Sequence, residues 1–439
     1  MRRQGLFKKM VKFGNTPNVI TYGILINGLC RTGNTNVALK LHEEMTNRKG
    51  KSGLFCEPNI VCYSTIIDSL CKNGLIDKAK ELFLGMQGGG ISPDVVVYSS
   101  LIHGLCCWGK WEEAKGLFNE MVDQGIRPNL VTFNTLVHVL CKGGKMEEAN
   151  KLLELMIQRG ENPDIFIYNT LMDGYCLVGR LNSARQMFDF IKSNGYEPDV
   201  VSYNVLINGY CKNRRVEEAM NVYAEMTDKG VMQTVITYNA LLTGLFQTGK
   251  IKDARRLFDE MKAHDLVPNS TTYNIILDGL CKNDCLPEAM ELLITLENCR
   301  FPLSIETYNI LINELGKAGK IELARKLFAR LSHKGLVPTV ATYSIMINGL
   351  CMDSNLEAAK KLFSEMEENG CAPNVVTYNT LMHGLCQQNE SALVVELLHK
   401  MAERNVSPDV STASIVVNLL SKDKSYSEYL NLLPTFPPQ

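Results

Sequence analysis

The stretch Asn374–Cys386 reads NVVTYNTLMHGLC. Its apolar residues Tyr378, Leu381, Met382, Leu385 and Cys386 follow an i, i+3, i+4, i+7, i+8 spacing, which is the stripe of an amphipathic helix. Asn379 falls one turn inside that helix, although an Asn amide competes with the backbone for hydrogen bonds and disfavours helix interiors. Nearly the same phrase recurs upstream at a fixed interval, and the recurrence decides the fold.

Cutting after each Pro-Asn or Pro-Asp, or the position equivalent to it, gives eleven units. They are 19–59, 60–94, 95–129, 130–164, 165–199, 200–234, 235–269, 270–304, 305–339, 340–374 and 375–409. The first has 41 residues and the other ten have 35; the extra length of the first falls at a polar stretch, NRKGKSG. Each unit carries a second amphipathic stretch, clearest in Ala114, Leu117, Phe118 and Met121. An aromatic opens the first helix of every unit, from Tyr22 to Tyr378 with Phe133 once. A small Ala recurs in the second helix from Ala38 to Ala359, and Val394 alone breaks the series. Gly precedes and follows the second helix in most units, where a helix end needs positive φ.

One such helix pair cannot bury its apolar face, whereas stacked pairs can. The pattern predicts an all-α chain, a right-handed superhelical α-solenoid of stacked helix–turn–helix repeats. Each buried Leu, Phe or Met contributes roughly 1.5–3 kcal/mol to that stack. A continuous array therefore replaces the three or so domains that 439 residues would otherwise suggest. Residues 1–18 align with a second helix alone, through Leu6, Phe7 and Met10, despite five basic residues that mimic a transit peptide. Residues 410–439 read as a degenerate capping repeat and tail, with Ala413 in place of the aromatic.

Composition narrows the function. Lys+Arg number 46 and Asp+Glu 47, which argues against a polybasic coat for nucleic acid or an anionic membrane. No apolar run reaches the ~18 residues of a membrane helix. Nine of the 15 cysteines (Cys30, Cys71, Cys106, Cys141, Cys176, Cys211, Cys281, Cys351 and Cys386) share one slot of the repeat, which fits a small buried hydrophobe better than disulfides or a metal site. The seven His residues fall in several slots without metal-binding spacing; CKNDC at 281–285 lacks a nearby His, and GGG at 88–90 lacks the GK[ST] of a phosphate loop. No catalytic group, metal or cofactor is expected.

The phrase VVTYNTLMHGLC, the following EEA..LF.EM and the closing G..P[ND] resemble the pentatricopeptide repeat family over essentially all of 6–433. The 35-residue period is similar to its P-class, and INGLC and DGLCK are similar to its restorer-of-fertility-like subgroup of plant organelle proteins. The resemblance implies single-stranded RNA as partner, one base per repeat. It also implies a role in organellar transcript processing, stability or translation, in the mitochondrion first and the chloroplast second, with a recruited nuclease or other processing factor as a further partner. The family's deaminase-like or nuclease-like additions do not fit the 30 residues after Asp409, so no enzyme activity is expected. Neither a membrane nor a small-molecule substrate is expected as a partner. A protein-binding helical scaffold, with its usual 34-residue period, and a truncated non-functional paralogue are the alternatives.

Three residue sets follow. The residue after the aromatic is Asn or Ser in all units but the first, where Gly23 stands, and carries donors and acceptors suited to base edges. In the resembled family it reads the base together with the residue that ends its unit. That residue is also of ordinary N-cap type. Ser64 with Asp94 implies G, and Ser99 with Asn129 implies A. Asn134 with Asp164, and Asn169 with Asp199, imply U. Asn204 with Thr234 implies a pyrimidine, and Asn239 with Asn269 and Asn274 with Ser304 imply C. Asn309 with Thr339 implies a pyrimidine, Ser344 with Asn374 implies A, and Asn379 with Asp409 implies U. The expected target is 5′-GAUUYCCYAU-3′. The resemblance assigns base stacking to Val61, Val96, Val131, Phe166, Val201, Ile236 and Val376, with packing between repeats as the competing role; Glu306 departs from the pattern. Arg31, Lys72, Lys142, Lys212, Lys282 and Lys317 share a slot ending the first helix and are candidates for phosphate.

Overall fold

A computed structural model describes residues 17–46 and 56–421. The partial repeat at the start, the NRKGKSG insertion and most of the final cap lie outside the described residues. Twenty-three helices are seen among those described, with no strand. Odd-numbered helices α1 to α23 are the first helices of successive units, from α1 (Val19–Arg31) and α3 (Ile60–Lys72) through α21 (Val375–Gln387) to α23 (Val410–Ser421). Even-numbered helices are the second, from α2 (Thr35–Thr46) and α4 (Ile76–Gly88) to α22 (Ser391–Glu403). The chain forms two compact units, one ending at Gly209 and one beginning at Tyr210, so the boundary falls inside α11 (Val200–Lys212). Each is a stack of helix pairs.

The repeated words of the sequence explain the stack. The Ala of every second helix is completely or almost completely buried, and so is Val394. The aromatic that opens the first helix is buried in ten of the eleven units, Tyr273 alone being half-buried. In eight units it meets an edge-on ring from the second helix before it. Phe83 meets Tyr98 at 5.3 Å between centroids, Phe188 meets Tyr203 at 5.0 Å, and Phe363 meets Tyr378 at 5.3 Å. Such pairs add about 0.5–1.5 kcal/mol beyond burial. His42 takes the same slot against Tyr63, at 4.7 Å.

The cysteine slot is a packing device. A Cβ built on Gly104 would lie 2.4 Å from Cys71 Sγ, and one on Gly384 would lie 2.5 Å from Cys351 Sγ. In five places, Cys71, Cys141, Cys176, Cys211 and Cys351, the thiol of one first helix therefore nests against the bare backbone of a Gly on the next. Burial pushes the thiols of Cys71, Cys141 and Cys211 up to about 12, so they sit there as neutral hydrophobes.

The turns keep their shape even where Gly is absent. Gly33, Gly74, Gly109, Gly144, Gly179, Gly249 and Gly319 hold positive φ before the second helix; Arg214, Asp284, Ser354 and Asn389 hold it in the remaining units. Across the outer surface, Lys80 pairs with Glu113 at 2.5 Å, Arg180 with Glu147 at 2.6 Å, and Arg255 bidentately with Glu288 at 2.7 Å. These exposed pairs are worth at most about 1 kcal/mol each and mainly fix register.

Candidate nucleic-acid interface

The residues that end the units are helix N-caps. Asn59, Asn129, Asn269 and Asn374, and likewise Asp94, Asp164 and Asp199, accept the backbone N–H three residues on. Thr339 does the same, and Asp409 accepts the N–H of Thr412 at 2.9 Å. Thr234 and Ser304 instead meet the hydroxyls of Thr237 and Thr307, at 3.3 and 3.5 Å. Capping satisfies otherwise orphaned N–H groups, so most of the second predicted set has a structural role, Ser304 making no such bond.

The first set lies beside these caps. Asn379 donates from Nδ2 to Asp409 Oδ1 at 2.9 Å, and Ser99 donates to Asn129 Oδ1 at 3.5 Å. Those two predicted pairs are in direct contact. Others are reached through a third residue. Thr307 donates to Asn274 Oδ1 at 2.7 Å, Ser99 meets Thr132 at 2.6 Å, and Ser344 meets Thr377 at 2.8 Å. Thr412 donates to Asn379 Oδ1 at 2.8 Å. Ser64 turns to the Val61 carbonyl, and Asn204 is half-buried on α11. For Asn134, Asn169, Asn239 and Asn309 the buried side-chain oxygen has no partner, which is a costly state for an amide.

The linking Thr was missed in the sequence reading. Thr132, Thr272, Thr307, Thr342, Thr377 and Thr412 each precede the aromatic or its replacement, and each is buried. Thr132, Thr307, Thr377 and Thr412 each bond both to the cap of their own helix and to the predicted reading residue of the unit before, and Thr272 bonds to its cap. The T of VTYN was the available signal. Its period matches the Asn, but Thr early in a helix also has a purely local explanation.

The proposed stacking residues are exposed. Val61, Val96, Val131, Phe166, Val201, Ile236 and Val376 are 50 to 68 % exposed, while the aromatic two residues on is buried in each of these units. With Ile20, eight of the eleven units thus expose a large hydrophobic side chain at this slot. The cations are exposed as well, and four have carboxylate neighbours. Lys72 meets Asp68 at 2.6 Å, Lys282 meets Asp278 at 2.8 Å, Lys317 meets Glu314 at 2.7 Å, and Lys142 reaches Asp173 at 3.9 Å. Among the described residues no carboxylate pairs with Arg31 or Lys212.

The three sets converge in the surface cavities. One of about 610 Å³ is lined by Val131 and Phe166, by Asn134, and by Lys142. Another of about 700 Å³ is lined by Val96, Ser64, Arg31 and Lys72. An apolar slot, an amide or hydroxyl, and a cation thus share one wall. Among the described residues no cluster of three metal-ligating side chains occurs, and no helix is long and apolar enough to cross a membrane.

Family models match along the chain. The PPR repeat family model matches 58–107, 163–207, 198–238, 233–282, 303–352, 347–387 and 373–422. The pentatricopeptide repeat domain model matches 116–175, and PPR repeat models match 13–46, 96–126 and 271–301. Among curated proteins no sequence match is found. Of solved structures, the pentatricopeptide repeat protein PPR10 from maize is 22% identical, with 97% of this chain and 70% of that chain covered, at a TM-score of 0.52. PPR10 in complex with an 18-nt psaJ RNA element gives 21%, 98% and 70%, at 0.43. Yeast Rmd9p in complex with a 16-nt target RNA gives 13%, 95% and 98%, at 0.47. By the matches that run through it, and by the stacked helix pairs that carry them, this chain belongs to the pentatricopeptide repeat family.

Proposed function

We propose that the chain binds single-stranded RNA, one base per unit, and selects each base with the Asn or Ser of a first helix and the residue that ends the same unit. The observation that carries this reading is the cavity shared by Val131, Phe166, Asn134 and Lys142. A base inserted between the valine and the phenylalanine gains stacking, worth about 1–3 kcal/mol per base on aromatic platforms. Its edge then meets Asn134, whose buried oxygen lacks a donor. Its phosphate lies within the domain of Lys142, whose 3.9 Å ion pair is weak enough to exchange.

The expected target is 5′-GAUUYCCYAU-3′, read by units 60–94 through 375–409. Glu306 makes position eight weak: its carboxyl, held below the usual range by the Ser304 hydroxyl, stays charged where a base would stack. By family resemblance the bound transcript is an organellar one, mitochondrial in the first instance, and binding shields it or presents it to a recruited nuclease. Selection from a random RNA pool at fixed salt is the test. Enrichment of sequences close to GAUUYCCYAU is expected; a pool with no common motif would count against the assignment.

A further inference from the structure

Arg214 occupies the turn before the second helix of unit 200–234, with φ of 60°. Seven units place Gly there, and Asp284, Ser354 and Asn389 fill the remaining turns with short polar side chains. A long side chain gains nothing from left-handed backbone, where its Cβ crowds the following carbonyl. Strain of this kind is a pointer to function.

The surroundings of Arg214 supply the function. With Lys212, Thr243 and Gln247 it lines a cavity of about 480 Å³, which Asp278 and Lys282 also line. Lys282 is committed to Asp278 at 2.8 Å. Among the described residues no carboxylate pairs with Lys212 or Arg214. The cavity therefore holds two cations without counter-charge beside hydroxyl and amide groups. That combination suits a singly charged phosphodiester, which arginine can contact with a forked pair of N–H groups.

We infer that Arg214, together with Lys212, holds a backbone phosphate of the bound RNA strand in this cavity, a contact outside the recurring cation slot. The inference rests on the RNA-binding reading. Arginine here trades backbone comfort for a ligand contact.

The test compares the full chain with its Arg214→Gly, Arg214→Lys and Arg300→Gly variants. Arg300 holds positive φ at the turn after a second helix and does not line the cavity. The readouts are the thermal midpoint and the affinity for the RNA strand GAUUUCCUAU across a salt series. Arg214→Gly is expected to raise the midpoint yet weaken binding by about three- to tenfold, and to lower the salt slope by about 0.7. Arg214→Lys is expected to restore most of the affinity and the slope. Arg300→Gly is expected to raise the midpoint and leave binding unchanged. If Arg214→Gly fails to fold, Arg214→Asn carries the same binding test. Unchanged affinity and slope in the Gly or Asn variant overturns the inference alone. A wild-type chain that binds neither this strand nor oligouridine overturns the RNA reading with it.

Discussion

The hydroxyl of Thr412 lies 2.8 Å from Oδ1 of Asn379, 33 residues earlier in the chain. The Nδ2 group of the same Asn donates to Asp409, whose carboxyl is held below its usual range chiefly by the Thr412 N–H. The residue that ends its own unit and the third residue beyond it thus fix which way the amide faces. This orientation sets which hydrogen-bonding group remains for a base.

Thr412→Val removes the hydroxyl and keeps the shape. Discrimination for U at the last base is expected to fall several-fold, with affinity for a strand lacking that base unchanged. The sharper variant is Asn379→Thr, which is expected to shift the preference at this one position from U towards G. Competition binding with strands that differ only at the last base reads both, and an unaltered U preference in both variants contradicts the clamp.

Glu306 puts a charge where other units expose aliphatic groups. Glu306→Val is expected to strengthen binding of the decamer by about 1 kcal/mol, the low end of a stacking contact. It should also make an abasic eighth nucleotide costly, where the wild type tolerates it. Equal tolerance in both proteins would show that this slot does not touch a base.

Gly104→Ala drives a methyl into Cys71. Overpacking of this sort costs roughly 1–3 kcal/mol. Cys71→Gly in the same chain should recover a large part of the loss, because the chain already tolerates Gly316 facing Gly349 in the equivalent places. Urea unfolding of the four members of the cycle measures the coupling; additive effects would mean that the two sites do not meet.

His42 is buried against Tyr63, and burial pushes its pKa down to about 4 from an ordinary 6.5. The unfolded chain therefore binds a proton between those values that the folded chain refuses. Stability from this site is complete above about pH 6.5 and is lost as pH falls towards 4, by up to about 3 kcal/mol. His42→Phe, which restores the ring used in other units, should flatten that dependence. Thermal midpoints from pH 7 to pH 4.5 in the two proteins provide the check.

Much of this was legible in the residues. The period, the helix pair, the buried Ala and aromatic slots and the register of Asn379 with its counterparts all follow from spacing, because a repeated chemical requirement leaves a repeated letter. The Cys slot could be recognised as core by its period, yet its partner could not be identified. The Gly that receives the thiol of Cys71, Cys141, Cys176, Cys211 or Cys351 lies 33 residues on, and only the stacked backbone brings them together. The linking Thr recurred visibly but could not be assigned, because its local role as cap partner and its role towards the preceding unit use the same hydroxyl. Sequence also singled out Val61 and Lys72 without deciding their surroundings. Exposure of the first and the carboxylate beside the second depend on neighbouring helices. The sequence by itself determined the fold, since periodic burial admits one kind of stack. Tertiary structure alone decided which polar atoms are already satisfied and which remain for a ligand, since hydrogen bonds between units depend on distances that no single unit contains.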